Sequence, residues 1–282
     1  MEETKQPRIK ILVACHKADP NIRQDDIYMP IQVGKALHPE LDLGFQCDNT
    51  GDNISEKNGS YCELTALYWA WKNLKDVDYI GLCHYRRYFD LTDEKLIKEI
   101  SRNDIIIGEP NILPITIYDE LVKWTSFEDV AILFDSLIEL YPGCKKQIIE
   151  FYYLDNKFPK CNMFIMTKKM FDDYCEFLFS ILELCENRIV KSPYKRQQRV
   201  LGYLAETLIG LWVGFNKNKH KYLKINECDE SKNKLVDTIN WMRNNIAFKL
   251  SKRLVKPQHI PYYTAVKVGL VADGIELLNL EK

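Results

Sequence analysis

The sequence lacks several features that would assign its 282 residues to a well-known class of protein. No apolar run approaches the roughly 18–20 residues that span a bilayer, and the charged first ten residues lead us to expect no secretory signal. The net charge of −1 argues against a polycation that binds nucleic acid. No internal repeat or low-complexity tract interrupts the chain. The length suits one large domain, or one domain with an appendage.

The common catalytic signatures are also missing. GxGxxG, Walker A, HExxH and GxSxG motifs are absent, which disfavours dinucleotide oxidoreductases, P-loop NTPases, zinc proteases and α/β-hydrolases. The nine cysteines form an odd number with no CxxC spacing, and several lie within apolar runs. We therefore predict reduced, mostly buried thiols in a cytoplasmic protein, rather than disulfides or a zinc site.

Apolar runs of strand length alternate with amphipathic helical stretches along the chain, which predicts an α/β fold with a largely parallel sheet. The predicted strands are 9–15, 41–47, 79–83, 104–108, 162–166 and 222–225. The predicted helices are 60–74, 92–100, 117–153 with a break at Pro142-Gly143, 169–187 and 196–215. For the first helix, Ser60 and Glu63 have the spacing of a capping box.

A cluster of cations and rings, His84-Tyr85-Arg86-Arg87, directly follows the predicted strand 79–83. If strand alternation continues, His84 and Arg86 share one face of the strand, and Tyr85 and Arg87 share the other. Ligands of α/β sheets collect beyond the carboxyl ends of strands, and arginine binds phosphate in a bidentate manner. The cluster therefore predicts a diphosphate grip with His84 as donor or acid. The alternative is a pair of structural arginines that bridge carboxylates.

Other candidate ligand groups lie near strand and helix ends. His16 and Lys17 follow the first strand, where phosphate contacts are common in α/β folds. Asp52, Asn53 and Tyr61 lie near the start of a helix, where amides and carboxylates can bind hydroxyls or a base edge. The alternatives are an exposed loop for His16 and Lys17, a solvated turn for Asp52, and core packing for Tyr61.

Two polar residues interrupt apolar stretches. Asn162 opens the run Met163–Met166, and a buried amide there must be satisfied by backbone groups or by a sugar hydroxyl. Glu206 is a carboxylate within an otherwise apolar helix, so it either pairs with an arginine or acts as a base of raised pKa. The partners considered for it are Arg199, Arg86 and Arg87.

A DxD tripeptide, Asp76-Val77-Asp78, is also present. Alternating carboxylates can hold a divalent cation on a diphosphate. This tripeptide precedes strand 79–83, however, and so lies at the amino end rather than the ligand-binding end. We therefore favour a solvated turn.

The segment 232–256 has seven basic residues and one acidic residue, with apolar side chains between them and Trp241 as an aromatic anchor. This composition is typical of a helix that lies on an anionic membrane surface. The alternative is a helix that packs on the domain or mediates a dimer.

Three blocks together carry a resemblance to a known family: GDNIS (51–55) with YCELTALYWAWKN (61–73), GLCHYRRYF (81–89) and GYLAE (202–206). Over about residues 8–226, the chain resembles the bacterial capsular and exopolysaccharide glycosyltransferases long catalogued as a domain of unknown function. The resemblance implies a GT-A-like (Rossmann-like) α/β fold with a mixed, mostly parallel sheet flanked by helices. It also implies a transferase domain, 1–226, and leaves 227–282 as a basic, mainly helical C-terminal extension.

The resemblance further implies transfer of a hexose, galactose or galactofuranose, from a UDP-sugar to a lipid-linked glycan acceptor. The enzyme would be cytoplasmic and peripheral on the inner face of the cell membrane. Two alternatives stay open: a non-catalytic nucleotide-sugar- or glycan-binding partner of another transferase, and a sugar-phosphate transferase. Donor sugar, acceptor, linkage and oligomeric state are left open.

In related GT-A enzymes a DxD motif after a central strand holds a metal, and here cationic side chains occupy the similar place. The resemblance therefore implies no required cofactor and no metal ligand, and leaves dependence on a divalent metal open. If the reaction inverts the anomeric centre, Glu206 is the first candidate base and Asp52 the second; if it retains, Glu206 orients the site. The predicted donor-binding residues are His16, Lys17, Asp52, Asn53, Tyr61, His84, Arg86, Arg87 and Asn162, and the predicted catalytic residues are Glu206, His84 and Asp52.

Overall fold

The computed structural model describes residues 6–195, 197–216, 219–228 and 234–254, with backbone alone for 234 and 251–254. The chain divides into two compact units, each assembled from separate segments. The described parts of unit 1 are 6–109, 160–176 and 219–228, and the remainder forms unit 2. The domain boundary at 226/227 stays a prediction.

The strands are β1 (Ile9–Cys15), β2 (Tyr28–Gln32), β3 (Gln46–Cys47), β4 (Tyr79–His84), β5 (Arg87–Phe89), β6 (Ile105–Gly108), β7 (Asn111–Ile112), β8 (Lys157–Phe158), β9 (Phe164–Thr167), β10 (His220–Leu223) and β11 (Ile225–Glu227). The α-helices are α1 (Asn58–Tyr61), α2 (Leu64–Asn73), α3 (Asp93–Ile100), α4 (Ile117–Trp124), α5 (Phe127–Leu140), α6 (Lys145–Ile148), α7 (Lys168–Arg188), α8 (Val200–Asn216) and α9 (Lys234–Leu254).

Unit 1 is built on a sheet with the strand order β10-β6-β9-β4-β1-β2-β3. Strands β3, β2, β1 and β4 are mutually parallel, and β10 is parallel to β6. Between these groups β9 runs antiparallel to both β4 and β6. The short strands β5 and β11 add an antiparallel extension after β4. The predicted α/β class, with a mixed, mostly parallel sheet flanked by helices, is confirmed.

Strand β2, which contains Pro30, is not predicted from the sequence pattern. Proline removes a backbone donor and normally avoids central strands. Here β1 pairs with β2 over its whole length, whereas β3 pairs only with Ile31 and Gln32, beyond the proline. Pro30 is thus tolerated because β3, the neighbour of β2 on the side away from β1, does not pair with position 30.

The predicted helix 60–74 is also corrected. Helix α1 ends at Tyr61, Cys62 adopts a positive φ of 53°, and α2 begins at Leu64. Glu63 is the N-cap residue of α2, and no side-chain capping bond forms there. The predicted Ser60–Glu63 capping box is therefore wrong, and Glu63 has a different partner, described below.

Gly81 lies at the centre of β4, where the backbone of β9 approaches closely. A Cβ at this position would lie 2.7 Å from the backbone oxygen of Phe164 and 2.8 Å from Cγ1 of Ile165. We expect Gly81→Ala to lower the free energy of unfolding by about 3 kcal/mol, measured by urea denaturation. Gly59→Ala is the matched control, because a Cβ there meets open space. A loss no greater than that of the control would contradict this account of the β4–β9 packing.

Unit 2 is mainly helical. The predicted break at Pro142-Gly143 is confirmed, because a 3₁₀ turn at Pro142–Cys144 separates α5 from α6, and a π-helical turn follows at Ile149–Tyr153. Ser126 and Asp129 form a capping box at the start of α5. The C-terminal end of α7 is tied to α5, since Arg188 pairs with Asp135 and Glu139. Among the helices described, none has the length and apolarity needed to cross a membrane.

Candidate functional site

The candidate site lies at the carboxyl ends of β1 and β4, two adjacent parallel strands of unit 1. Ala14 of β1 is paired with His84 of β4. The residues that follow each strand therefore emerge at the same edge of the sheet, where α/β proteins bind their ligands. This topology brings His16 and Lys17, both among the predicted donor-binding residues, to the Tyr85-Arg86 segment.

Three basic side chains surround the ring of Tyr85. The His16 ring meets it edge-on at 5.4 Å between centroids, and Cζ of Arg86 lies 5.0 Å from the ring centre. Nζ of Lys17 lies 6.0 Å from the same ring. We call His16, Lys17, Tyr85 and Arg86 the cationic cluster. Its basic side chains are solvent-exposed, whereas Tyr85 is buried and its hydroxyl has no hydrogen-bond partner among the residues the structure describes. The cluster offers positive charge to an anion from solvent.

The backbone turns directly after β4. Tyr85 and Arg86 form a two-residue turn, and His84 is paired with Arg87 across the β4–β5 hairpin. The condition for placing His84 and Arg86 on one face and Tyr85 and Arg87 on the other, a strand that continues through Arg87, is therefore not met. The turn separates the two arginines and gives them different surroundings.

Arg87 contacts a carboxylate of β11. Its Nε lies 4.0 Å from Oε2 of Glu227, whose side chain is only 10% exposed and also pairs with Lys160. A nearly buried carboxylate needs such cations, because burial without a partner is costly. This geometry favours the structural alternative for Arg87 and leaves Arg86 as the arginine of the cationic cluster.

The segment Lys160–Asn162 links three elements of unit 1. Lys160 binds Glu227, the carbonyl oxygen of Cys161 lies 2.7 Å from Nε2 of His84, and Nδ2 of Asn162 donates to Oε1 of Glu63 at 2.9 Å. Because a carbonyl oxygen only accepts, Nε2 of His84 must carry a proton. In the neutral ring Nδ1 is then an acceptor, so His84 donates from Nδ1 only when it is protonated.

Backbone strain concentrates at the same place. Outside glycine, the described residues with positive φ are Cys62, Cys161 and Asn162, at 53°, 59° and 50°. Cys62 precedes Glu63, and Cys161 precedes Asn162. All three residues therefore lie at the Glu63–Asn162 hydrogen bond. Such conformations cost about 1–3 kcal/mol each and concentrate at ligand sites, where the surrounding structure holds them.

The side-chain oxygen of Asn162, Oδ1, receives no hydrogen bond from the described residues. Asn162 is fully buried. An ionised carboxylate can only accept, so Glu63 fixes the amide nitrogen toward itself and directs the oxygen elsewhere. A buried amide oxygen without a partner is costly, which suits a position that accepts a hydrogen bond from a ligand.

Glu63 is a member of this site that the sequence pattern does not predict. Its partner lies 99 positions away, and its spacing from Ser60 matches a capping box, so no local signal separates the two roles. Tyr61, predicted to bind the donor, is only 3% exposed and has Nζ of Lys57 at 5.8 Å from its ring. This environment favours core packing for Tyr61.

Asp52 and Asn53 are held by the other end of α2. The backbone N–H and carbonyl of Asp52 bond to the side chain of Asn73, and Tyr68 donates to its carboxylate at 3.3 Å. Asn53 closes a local turn with Gly51 and Ser55. Asn73 is about 15 Å along the helix from the N-cap, at 1.5 Å per residue. The structure thus anchors Asp52 away from the Glu63 end of α2.

The DxD tripeptide is held by Arg8. The guanidinium and the backbone N–H of Arg8 donate hydrogen bonds to the carboxylate of Asp78, and Nη1 of Arg8 lies 3.8 Å from Oδ1 of Asp76. Both carboxylates precede β4 and so lie at the end opposite the cationic cluster. In the part of the chain that is described, no group of three His, Cys, Asp or Glu side chains could hold a metal ion. The side chains of the cationic cluster do not suit Mg²⁺ or Ca²⁺, which prefer oxygen ligands.

Glu206 lies in α8 of unit 2, where it is half-buried between the buried residues Ala205 and Thr207. Arg199, one of its considered partners, lies near the ring of Tyr203, with Cζ 5.5 Å from the ring centre. The proposed role of Glu206 as a base stays a prediction.

The nine cysteines are all free thiols, and five of them are buried. Burial raises the pKa of Cys15, at the end of β1, to about 12, and raises that of Cys83 well above its ordinary value. Both thiols therefore stay protonated at neutral pH and are unsuited to act as nucleophiles.

Comparison with known proteins identifies two similarities. Residues 10–219 match the family described as a domain of unknown function, DUF4422. The chain is also similar to a solved structure, the WbbM bifunctional glycosyltransferase in its apo form, with 30% sequence identity and a TM-score of 0.70. That match covers 79% of this chain and 45% of the WbbM chain, so the chain spans less than half of its relative. No curated protein sequence matches. The sheet order with its antiparallel β9 is consistent with the GT-A-like α/β fold expected from the sequence.

Proposed function

Because the chain belongs to the DUF4422 family and shares its fold with a bifunctional glycosyltransferase, we propose that it is itself a glycosyltransferase. It transfers a hexose, with galactose or galactofuranose as the first to test, from a UDP-sugar to a lipid-linked glycan in capsule or exopolysaccharide synthesis. The observation that carries this proposal is the cationic cluster at the carboxyl ends of β1 and β4.

The chemistry of sugar transfer calls for positive charge at the diphosphate, which this cluster supplies. When the bond between the sugar and the diphosphate breaks, negative charge develops on the leaving oxygen. Fixed positive groups that stabilise this charge accelerate the reaction, because they need not reorganise at the moment of bond cleavage. Arg86 supplies a planar bidentate donor and Lys17 a mobile point charge. His16 adds a further donor at the edge of the same ring.

Sugar recognition is assigned to the Glu63–Asn162 pair. Oδ1 of Asn162 accepts a hydrogen bond from a hydroxyl of the donor or acceptor sugar, and Glu63 holds the amide in the orientation that this bond requires. A buried oxygen that accepts a hydrogen bond from a sugar hydroxyl discriminates strongly against a sugar that lacks the matching hydroxyl.

The catalytic base depends on stereochemistry. An inverting reaction needs a carboxylate that removes the proton of the acceptor hydroxyl. Glu206 remains the first candidate, and the anchoring of Asp52 by Asn73 and Tyr68 makes it a weaker second. A retaining reaction needs no base in that role.

The test is release of UDP from a panel of UDP-sugars, with and without EDTA. We expect slow release with one hexose donor, and the same rate after chelation, because the cationic side chains of the cluster perform the role of a metal. UDP binding by calorimetry without release would instead identify a non-catalytic nucleotide-sugar-binding partner. Absence of both binding and release would refute the transferase, and loss of release in EDTA would refute the metal-free version.

A further inference from the structure

The outer face of helix α9 carries a row of exposed apolar side chains that the function proposed above does not use. Five of its side chains recur at intervals of three or four residues and are each between 53% and 69% exposed. They are Leu235, Ile239, Met242, Ile246 and Leu250. At about 100° per residue they fall within an arc of about 80° on one side of the helix. We call these five residues the apolar stripe.

The opposite side of α9 is attached to unit 2. Nδ2 of Asn244 donates to the carbonyl oxygen of Ile112 in β7, and Phe248 is only 8% exposed. Both positions lie about 160° from the centre of the apolar stripe. The helix is therefore fixed to its unit by one face and presents the stripe away from that contact.

Cations flank the apolar stripe on both sides. Arg243 and Lys249 lie about 60° to either side of its centre. Residues 234–254 contain five basic residues and one acidic residue, Asp237, which lies on the attached side. This concentration of positive charge is local, since the whole chain has a net charge of −1.

We propose that the apolar stripe inserts into the interface of an anionic lipid membrane, with α9 parallel to the membrane plane. An apolar face flanked by basic residues matches the depth profile of such an interface, where acyl chains lie beneath anionic headgroups. Pairing with a second copy is disfavoured, because two helices of net charge +4 would repel each other at low salt. The lipid surface complements both the charge and the apolar area.

Helix geometry corrects the expected role of Trp241. It is 54% exposed, but it lies about 140° from the centre of the apolar stripe. It therefore does not insert with the stripe. Trp241 is therefore a control residue on the same helix, because its exposed fraction is similar to that of the stripe residues and its side chain has a larger apolar area.

The test is flotation of the full-length protein with vesicles made from equal parts of phosphatidylglycerol and phosphatidylcholine. We expect binding that weakens as salt is raised and is absent with phosphatidylcholine alone. Ile239→Gln/Ile246→Gln should reduce binding by at least about tenfold, because two inserted side chains are lost. Trp241→Gln should bind like the wild type. Circular dichroism checks that each variant keeps its helix content.

Three outcomes would overturn the proposal: no flotation of the wild type, equal flotation of the double variant, or an equal loss with Trp241→Gln. A dimer in sedimentation equilibrium that only the double variant abolishes, without vesicle binding, would assign the stripe to a second copy instead. Flotation does not depend on catalysis, so it can succeed where UDP release fails, and the reverse.

Discussion

Removal of both exposed cations of the cationic cluster, in Lys17→Ala/Arg86→Ala, is expected to weaken UDP binding by about 10²-fold. Each charge-assisted hydrogen bond contributes about 1.5–3 kcal/mol, and 1.4 kcal/mol corresponds to a factor of ten. Because both side chains are exposed, the free energy of unfolding should change by less than about 0.5 kcal/mol. Isothermal titration calorimetry with UDP and urea denaturation measure the two quantities on the same protein.

The matched control removes the same charge elsewhere in unit 1. Lys95 and Lys98 are exposed on α3, and Lys95→Ala/Lys98→Ala should bind UDP like the wild type. If Lys95→Ala/Lys98→Ala loses as much affinity for UDP as Lys17→Ala/Arg86→Ala, the loss reflects the net charge of the protein and not a binding site at the cationic cluster.

Arg87→Ala should lower the free energy of unfolding by about 1 kcal/mol, because it removes a cation that supports the nearly buried Glu227. Its effect on UDP affinity should be smaller than that of Lys17→Ala/Arg86→Ala.

The second large effect is expected at Asn162, where side chain and backbone can be tested separately. Asn162→Gly removes the amide but keeps a residue that tolerates the observed φ of 50°. We expect kcat/KM for sugar transfer to fall by about 10–10²-fold, since a buried hydrogen bond to the sugar is lost. The free energy of unfolding should stay within about 1 kcal/mol of the wild type.

Asn162→Ala provides the contrast. It removes the same amide, but the left-handed conformation costs an alanine about 1–2 kcal/mol more. The two variants should therefore share the loss of activity and differ in stability, as measured by urea denaturation. An alanine variant as stable as the glycine variant would show that the backbone relaxes. Full activity in both would remove Asn162 from sugar recognition.

Much of the fold could be predicted from periodicity, because the buried strands β1, β4, β6 and β9 are long apolar runs. The same local signals failed where a distant contact decides the structure. The apolar run that ends in His84 gave no sign of the turn at Tyr85 and Arg86, which depends on pairing between β5 and β11. Because proline is uncommon in central strands, Pro30 argued against a strand at positions 28–32, although β2 lies there between β1 and β3.

The candidate site shows the same limit. Two parallel strands end at one edge, so the proximity of Lys17 to Arg86 follows from topology and could be predicted. The separate roles of Arg86 and Arg87 could not, because Glu227 reaches Arg87 from a strand 140 positions later. Glu63 was assigned a local partner at the correct spacing, yet the hydrogen bond to Asn162 prevails because a buried amide requires a partner.

The order of strands in the sheet also bears on how the chain is made. Strand β9 fills the gap between β4 and β6 only after the intervening segment 110–159 has been synthesised, and β10 and β11 come later still. During translation, β4, β5 and β6 therefore emerge with unpaired edges, which are prone to association with other chains. Unit 1 becomes complete only when residues near 227 have left the ribosome, so protection of the nascent chain over that interval is a requirement of this topology.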